Sequence, residues 1–174
     1  NEQLQQLVAE AEVALDTDAI LATSLKSAGN VLLPSVYTLG EQQGKPDNVL
    51  PGFVLKSMID DPNGYSVSAN RGKQPIEVIG ISAAGIGHLN QSYYSDGYVR
   101  QEPLLVNYFG KAVPSMALLA AAASLNLTPA DIRLNVGESV QIGKLKIKTD
   151  TSALMLPQFY KAKEGKPAFT VDSF

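Results

Sequence analysis

The stretch at residues 86–108, IGHLNQSYYSDGYVRQEPLLVNY, constrains the fold of this chain more than any other. Two extended runs meet at Ser95-Asp96-Gly97. An Asp-Gly pair between such runs signals a hairpin, because Gly takes a positive φ at no steric cost. Two registers compete. A two-residue turn pairs Ser95 with Tyr98, places Arg100 beside Tyr93 and Leu89, and mixes polar with apolar side chains. A three-residue turn, with Gly97 left-handed, pairs Tyr94 with Tyr98, Tyr93 with Val99 and Asn90 with Glu102. One face then carries Leu89, Tyr93, Val99, Pro103 and Leu105. The other carries His88, Asn90, Ser92, Tyr94, Tyr98, Arg100 and Glu102. Gln91 and Gln101 fall on the apolar side, but burying one face still favours the register that keeps the two sets apart. We therefore expect the three-residue turn.

A chain of 174 residues suffices for one domain with a sizeable core. Net charge is −3, pI is about 5.1, and no dense Lys/Arg cluster stands out, so nucleic acid is not an expected partner. The chain has no cysteine, which excludes disulfides, thiolate metal sites and thiol catalysis. The most apolar run, residues 113–127, is shorter than the roughly 20 residues a membrane span needs and carries Ser115, Ser124 and Asn126. The start, NEQLQQ, has neither the basic nor the apolar part of a signal peptide. We expect a single domain over residues 1–174, cut from a longer protein whose first part and membrane spans are left out.

In chain order, Leu4, Leu7, Val8, Ala11 and Leu15 make one apolar stripe at helical spacing over residues 2–15. Asp16-Thr17-Asp18 offers caps for a second helix over about 19–28, which Gly29 ends. The apolar run 30–34 reads as a buried strand. Residues 40–74 are rich in turn signals and read as a surface excursion with short edge strands or a helical turn. Residues 75–81 suit a strand or a connector. Phe109-Gly110-Lys111 predicts a second turn, and the apolar segment 113–126 a deeply buried helix with Pro114 in its first turn. Thr128-Pro129-Ala130-Asp131 has the form of a capping box. Short strands follow at 132–136, 139–142, 144–148 and 153–156, and Lys144, Lys146 and Lys148 share one solvated face. The fold class is α/β: a mixed sheet with helices packed against it, in one domain, containing the antiparallel hairpin around Asp96-Gly97.

No catalytic constellation emerges. His88 is the only histidine, and no Gly-x-Ser-x-Gly elbow accompanies it. A lone histidine cannot build a His-rich metal site, and the carboxylates lack EF-hand spacing. We therefore expect no catalytic residue, no metal and no cofactor. Gly85-Ile86-Gly87 lacks the rest of a phosphate loop. The candidate ligand-binding residues are those of the hairpin's polar face. Arg100, framed by Tyr94 and Tyr98, would contact a carboxylate or phosphate, with His88, Asn90 and Glu102 beside it.

Four segments give the chain a family likeness. They are DAILATSLKSAGNVLLP at 18–34, IGHLN at 86–90, DGYVRQEPLLV at 96–106 and PSMALLA at 114–120, with FTVDSF at 169–174 as a fainter fifth. Together, in this order, they resemble the second class of CHASE domains, extracytoplasmic sensor modules of bacterial transmembrane receptors. The resemblance implies a position on the periplasmic or extracellular face, anchored in the cytoplasmic membrane in the full-length protein. It also implies an intracellular output: an adenylate or diguanylate cyclase, a histidine kinase or a serine/threonine kinase. The expected partners are an unidentified small-molecule or environmental signal and a second copy, as a homodimer. The domain itself is then no enzyme. The alternatives are a small extracytoplasmic hydrolase using His88, or a binding or assembly module of the cell envelope.

Overall fold

The computed structural model describes residues 2–93 and 96–170. Two helices open the chain as the apolar spacing predicts: α1 (Glu2–Leu15) and α2 (Thr17–Ala28). Only Asp16 separates them, and its Oδ1 accepts a hydrogen bond from the Ala19 N–H at 2.9 Å, capping α2. Gly29, left-handed at φ +68°, closes α2 and returns its N–H to the Leu25 carbonyl.

The strand after Gly29 is longer than its apolar run: β1 spans Leu32–Leu39. The turn-rich segment that follows holds α3 (Gly52–Leu55), β2 (Ile59–Asp60) and β3 (Val67–Lys73). This corrects the expectation of a surface excursion. β3 lies inside the sheet, although of its residues only Ala69 is fully buried, so a polar sequence hides a central strand. Residues 77–82 also depart from expectation and form a helix, α4 (Glu77–Ser82), held against α2. Gly80 lets α4 approach α3 as well: a Cβ on it would meet the Phe53 ring of α3 at 2.3 Å.

β4 (Gly85–His88) is buried along its whole length. The hairpin strands are β5 (Ser92–Tyr93) and β6 (Val99–Pro103), and β7 (Leu105–Tyr108) follows directly. Phe109 and Gly110, at φ +50° and +85°, turn the chain into β8 (Lys111–Pro114). Two successive positive φ values suit a tight hairpin whose twist matches its strands. The helix after it begins later than the apolar run implies: α5 is Met116–Ser124, and 113–114 belong to β8. A residue before proline is pushed toward extended backbone, which keeps Val113 out of the helix. Ser115 takes the cap instead, its Oγ accepting from Leu118 N–H at 3.1 Å. α5 buries Leu118, Leu119 and Ala122 on one side and leaves Ala120 and Ala123 exposed, so it is covered on one face only.

The capping box forms at the short 3₁₀ turn Pro129–Asp131. The meander β9 (Ile132–Asn135), β10 (Ser139–Ile142) and β11 (Leu145–Lys148) follows, and its lysines are exposed, with Lys146 paired to Glu138. β12 (Leu154–Met155) is half-buried rather than buried.

Six strands form the main sheet in the order β2-β8-β7-β3-β1-β4. It is mixed: β1 runs parallel to β4 and antiparallel to β3, and β3 runs parallel to β7. Leu105 and Val106, successive on β7, belong to different core clusters, as the two-residue period of a strand requires. One cluster joins Tyr37, Ala69, Ile86 and Val106 to Phe53 and Val54 of α3. The other joins Leu105 to Leu118 and Leu119 of α5 and to Ile132, Val140 and Ile142 of the meander. The sheet is therefore covered on both faces.

Gly87 is where β4 meets α5. A Cβ there would lie 2.9 Å from the Met116 backbone N and 3.0 Å from its Cα. Backbone cannot swing aside as a side chain can, so Gly87→Ala should destabilise the domain by about 2 kcal/mol, measured by urea unfolding. Gly52→Ala, at a glycine with open space around it and no positive φ, supplies the comparison for lost glycine freedom.

Candidate functional site

The hairpin's register is a hybrid. Tyr93 pairs with Val99, as the three-residue turn requires, and Gly97 is left-handed at φ +78°. The Tyr94–Tyr98 pair lies outside the described residues. One step further the ladder shifts: Ser92 faces Gln101, with a bulge at this point. Glu102 faces Met155 of β12 instead of Asn90. The hairpin thus belongs to a peripheral three-stranded sheet, β12-β6-β5, and not to the main sheet.

This disperses the expected polar face. Arg100 is bound to its own turn: Nη2 lies 2.6 Å from Asp96 Oδ2, and its guanidinium sits 5.3 Å from the centroid of the exposed Tyr98 ring. The Arg100 side chain, with the Tyr98 N–H, holds the Asp96 carboxyl below its usual range. Glu102 is half-buried on β6, and burial pushes its carboxyl up. Tyr94 lies outside the described residues.

His88 and Asn90 stand apart, at the end of β4. Asn90 extends the β1–β4 ladder with its side chain: Oδ1 accepts from Tyr37 N–H at 2.9 Å and Nδ2 donates to the Tyr37 carbonyl. His88 is 1 % exposed, and its Nδ1 accepts from the Asn90 N–H at 3.2 Å. A catalytic relay needs the opposite, an Nδ1–H donated to a carboxylate. Nε2 is buried without a hydrogen-bond partner. Burial pushes the imidazole down to about 4, against a smaller opposing pull from the Leu104 carbonyl.

A third arrangement was not legible in the sequence. Two adjoining clefts, of about 530 and 600 Å³, share Thr38, Asp47 and Arg71. The pairing of β1 with β3 places Thr38 opposite Arg71 and Val36 opposite Lys73, and the segment 41–48 forms the remaining wall. Glu41, Lys45, Asp47, Arg71 and Lys73 bring charges of both signs to the rim. Arg71 Nε stands 3.8 Å from Asp47 Oδ2, with both side chains exposed.

The wall is pinned although it lacks regular structure. Gly40 N–H donates to the Ser68 carbonyl. Gln42 Nε2 donates to the Ala69 carbonyl and to the Asn107 carbonyl and Oδ1. Tyr108 OH donates to the Asn48 carbonyl at 3.2 Å. Beneath these ties, Asn107 Nδ2 donates to the buried Asp61. What the cleft offers is a polar, preformed recess with cations and anions facing one another across it.

Among the described residues, no group of three or more His, Cys, Asp or Glu side chains gathers to hold a metal ion. Nor is any helix of the described residues long and apolar enough to cross a membrane. The class these features define is a mixed α/β module with a charged recess beside β1 and β3 and a buried histidine at the end of β4.

A family model, the CHASE2 domain, matches residues 2–174, and the chain belongs to this family of extracytoplasmic sensor domains. The domain is a sensor rather than a catalytic one. Comparison with curated proteins and with solved structures gave no significant match.

Proposed function

We propose that the chain is the sensory module of a membrane-anchored receptor and passes a signal to an intracellular cyclase or kinase. The family match along residues 2–174 carries this reading. The test is the full open reading frame, which should encode apolar spans and a cyclase or kinase domain. A stand-alone secreted chain would sink it.

The signal-binding surface in this reading is the cleft between Thr38, Asp47 and Arg71. It suits a small ligand carrying both charges, its carboxylate met by Arg71 or Lys45 and its amino group by Asp47 or Glu41. The hairpin surface around Arg100 is the competitor, but Arg100 already has Asp96 at 2.6 Å. In a thermal-shift screen of amino acids and small dicarboxylates, a binding compound at 100 times its Kd should stabilise the domain by about 2.7 kcal/mol. Arg71→Ala should lose that shift and Arg100→Ala should keep it. The reverse pattern moves the binding surface to the hairpin.

A further inference from the structure

Every described side chain of α1 is exposed, its apolar stripe included: Leu4 is 58 % exposed, Val8 59 % and Leu15 76 %. A helix of 14 residues is marginal in water by itself, so its stripe calls for a cover. The spacing of Leu4, Val8, Ala11 and Leu15, in steps of four, three and four, is the heptad seam of a coiled coil. We infer that α1 pairs in parallel with α1 of a second copy of this chain, Leu4 and Ala11 taking the d positions and Val8 and Leu15 the a positions. This supplies the geometry for a dimeric receptor, yet it rests on α1 alone and not on the cleft.

Four observations select the second copy. Leu4 at d and Val8 at a give the first heptad the combination that favours two strands, and Ala11 and Leu15 carry the apolar seam through the second. The flanking e and g positions are Gln5, Leu7, Glu12 and Ala14, so a parallel pair sets Leu7 against Glu12 and brings no like charges together. The helix carries Glu2, Glu10 and Glu12 and no Lys or Arg, the opposite of an interfacial helix on an anionic membrane. Folding back onto its own domain is hindered as well, because the single residue linking α1 to α2 is the Asp16 cap.

The absence of native cysteine makes the test clean. Leu4→Cys and Leu15→Cys, each introduced alone into the 174-residue chain and mildly oxidised, should both form disulfide dimers. Gln6→Cys, on the outer f position, should not. Adding Val8→Glu should abolish the Leu4→Cys dimer, with unchanged circular dichroism showing the body intact. Cross-linking of Leu4→Cys no greater than that of Gln6→Cys overturns the inference. So does a disulfide that forms only when the Leu4→Cys and Leu15→Cys chains are mixed, which marks an antiparallel pair. Flotation with vesicles of phosphatidylcholine and phosphatidylserine that Val8→Glu abolishes also overturns it, in favour of a membrane surface. Two heptads bury little area, so cross-linking is the readout rather than mass in dilute solution. A ligand shift that survives while cross-linking fails separates this inference from the sensory reading.

Discussion

Asp61→Ala should cost the domain on the order of 4 kcal/mol in urea unfolding. Asp61 is 2 % exposed and sits at the start of the turn Asp61-Pro62-Asn63-Gly64. Its Oδ1 accepts from Tyr65 N–H at 3.0 Å. Its Oδ2 accepts from Ser66 N–H at 3.0 Å, Ser66 Oγ at 2.6 Å and Asn107 Nδ2 at 3.0 Å. Truncation to Ala removes this acceptor and leaves the buried Ser66 N–H and Oγ without it, at about 1 kcal/mol or more each, while Asn107 Nδ2 keeps only the Asp61 backbone carbonyl. Asp61→Asn keeps the shape and one acceptor oxygen, so it should cost roughly half as much.

Burial by itself raises the Asp61 carboxyl. The hydrogen bonds from Ser66, Tyr65 and Asn107 outweigh burial and hold it below its usual value. A lowered carboxylate contributes stability that is fully present above its unfolded pKa, about 4, and lost as pH falls through its folded value. The network reaches the cleft through Asn107 and Gln42. Asp61→Ala should therefore also raise amide exchange in residues 41–48. If stability and exchange match those of the unsubstituted chain, Asp61 does not anchor this region.

How much of this was legible in the sequence differs by element. α1, α2 and the meander were, because their apolar spacing and caps are local signals. β3 was not: Val67-Ser68-Ala69-Asn70-Arg71-Gly72-Lys73 buries one residue fully, and it is central because β1 and β7 pair with its backbone on both sides. Backbone pairing leaves no mark on side-chain chemistry. The cleft went unread for the same reason. Arg71 and Thr38 are 33 positions apart, and only the antiparallel register sets them opposite. The hairpin was read correctly in kind and at Tyr93–Val99, but no residue type announced the bulge. Its polar face was a projection of strand periodicity past the point where the strand ends. Asn90 already lies beyond β4, paired with Tyr37, and the ladder at Glu102 belongs to β12.

Between pH 6.5 and pH 4 the domain should lose about 3 kcal/mol of stability through His88 alone. The imidazole titrates near 6.5 in the unfolded chain but is pushed down to about 4 in the fold, chiefly by burial. Neutral imidazole is what the fold accepts: Nδ1 takes the Asn90 N–H, so a proton added there would face a donor, and the pull of the Leu104 carbonyl is too small to offset burial. The unfolded chain therefore binds the proton first as pH falls. The His88 contribution is fully present above 6.5, declines by about 1.4 kcal/mol per pH unit below it, and is lost by about 4. Lowered carboxylates such as Asp61 act mainly below this window. Glu102 acts against the trend, because its raised carboxyl takes up a proton more readily in the folded state and adds stability on acidification. Urea unfolding at intervals from pH 7.5 to 4.5, set against His88→Gln, isolates the term. The variant starts lower if its amide fills the site poorly, but the slope between 6.5 and 4.5 is the readout, and it should flatten. Parallel curves for the two proteins would mean that His88 takes up its proton as readily folded as unfolded. The loss has a structural address: Leu89 N–H donates to the Ser35 carbonyl, Asn90 grips Tyr37, and β4 ends beside Ser115, the cap of α5. Protonating His88 should therefore loosen the junction of β1, β4 and α5 before the rest of the sheet, with amide exchange at Leu89, Asn90 and Leu118 rising first.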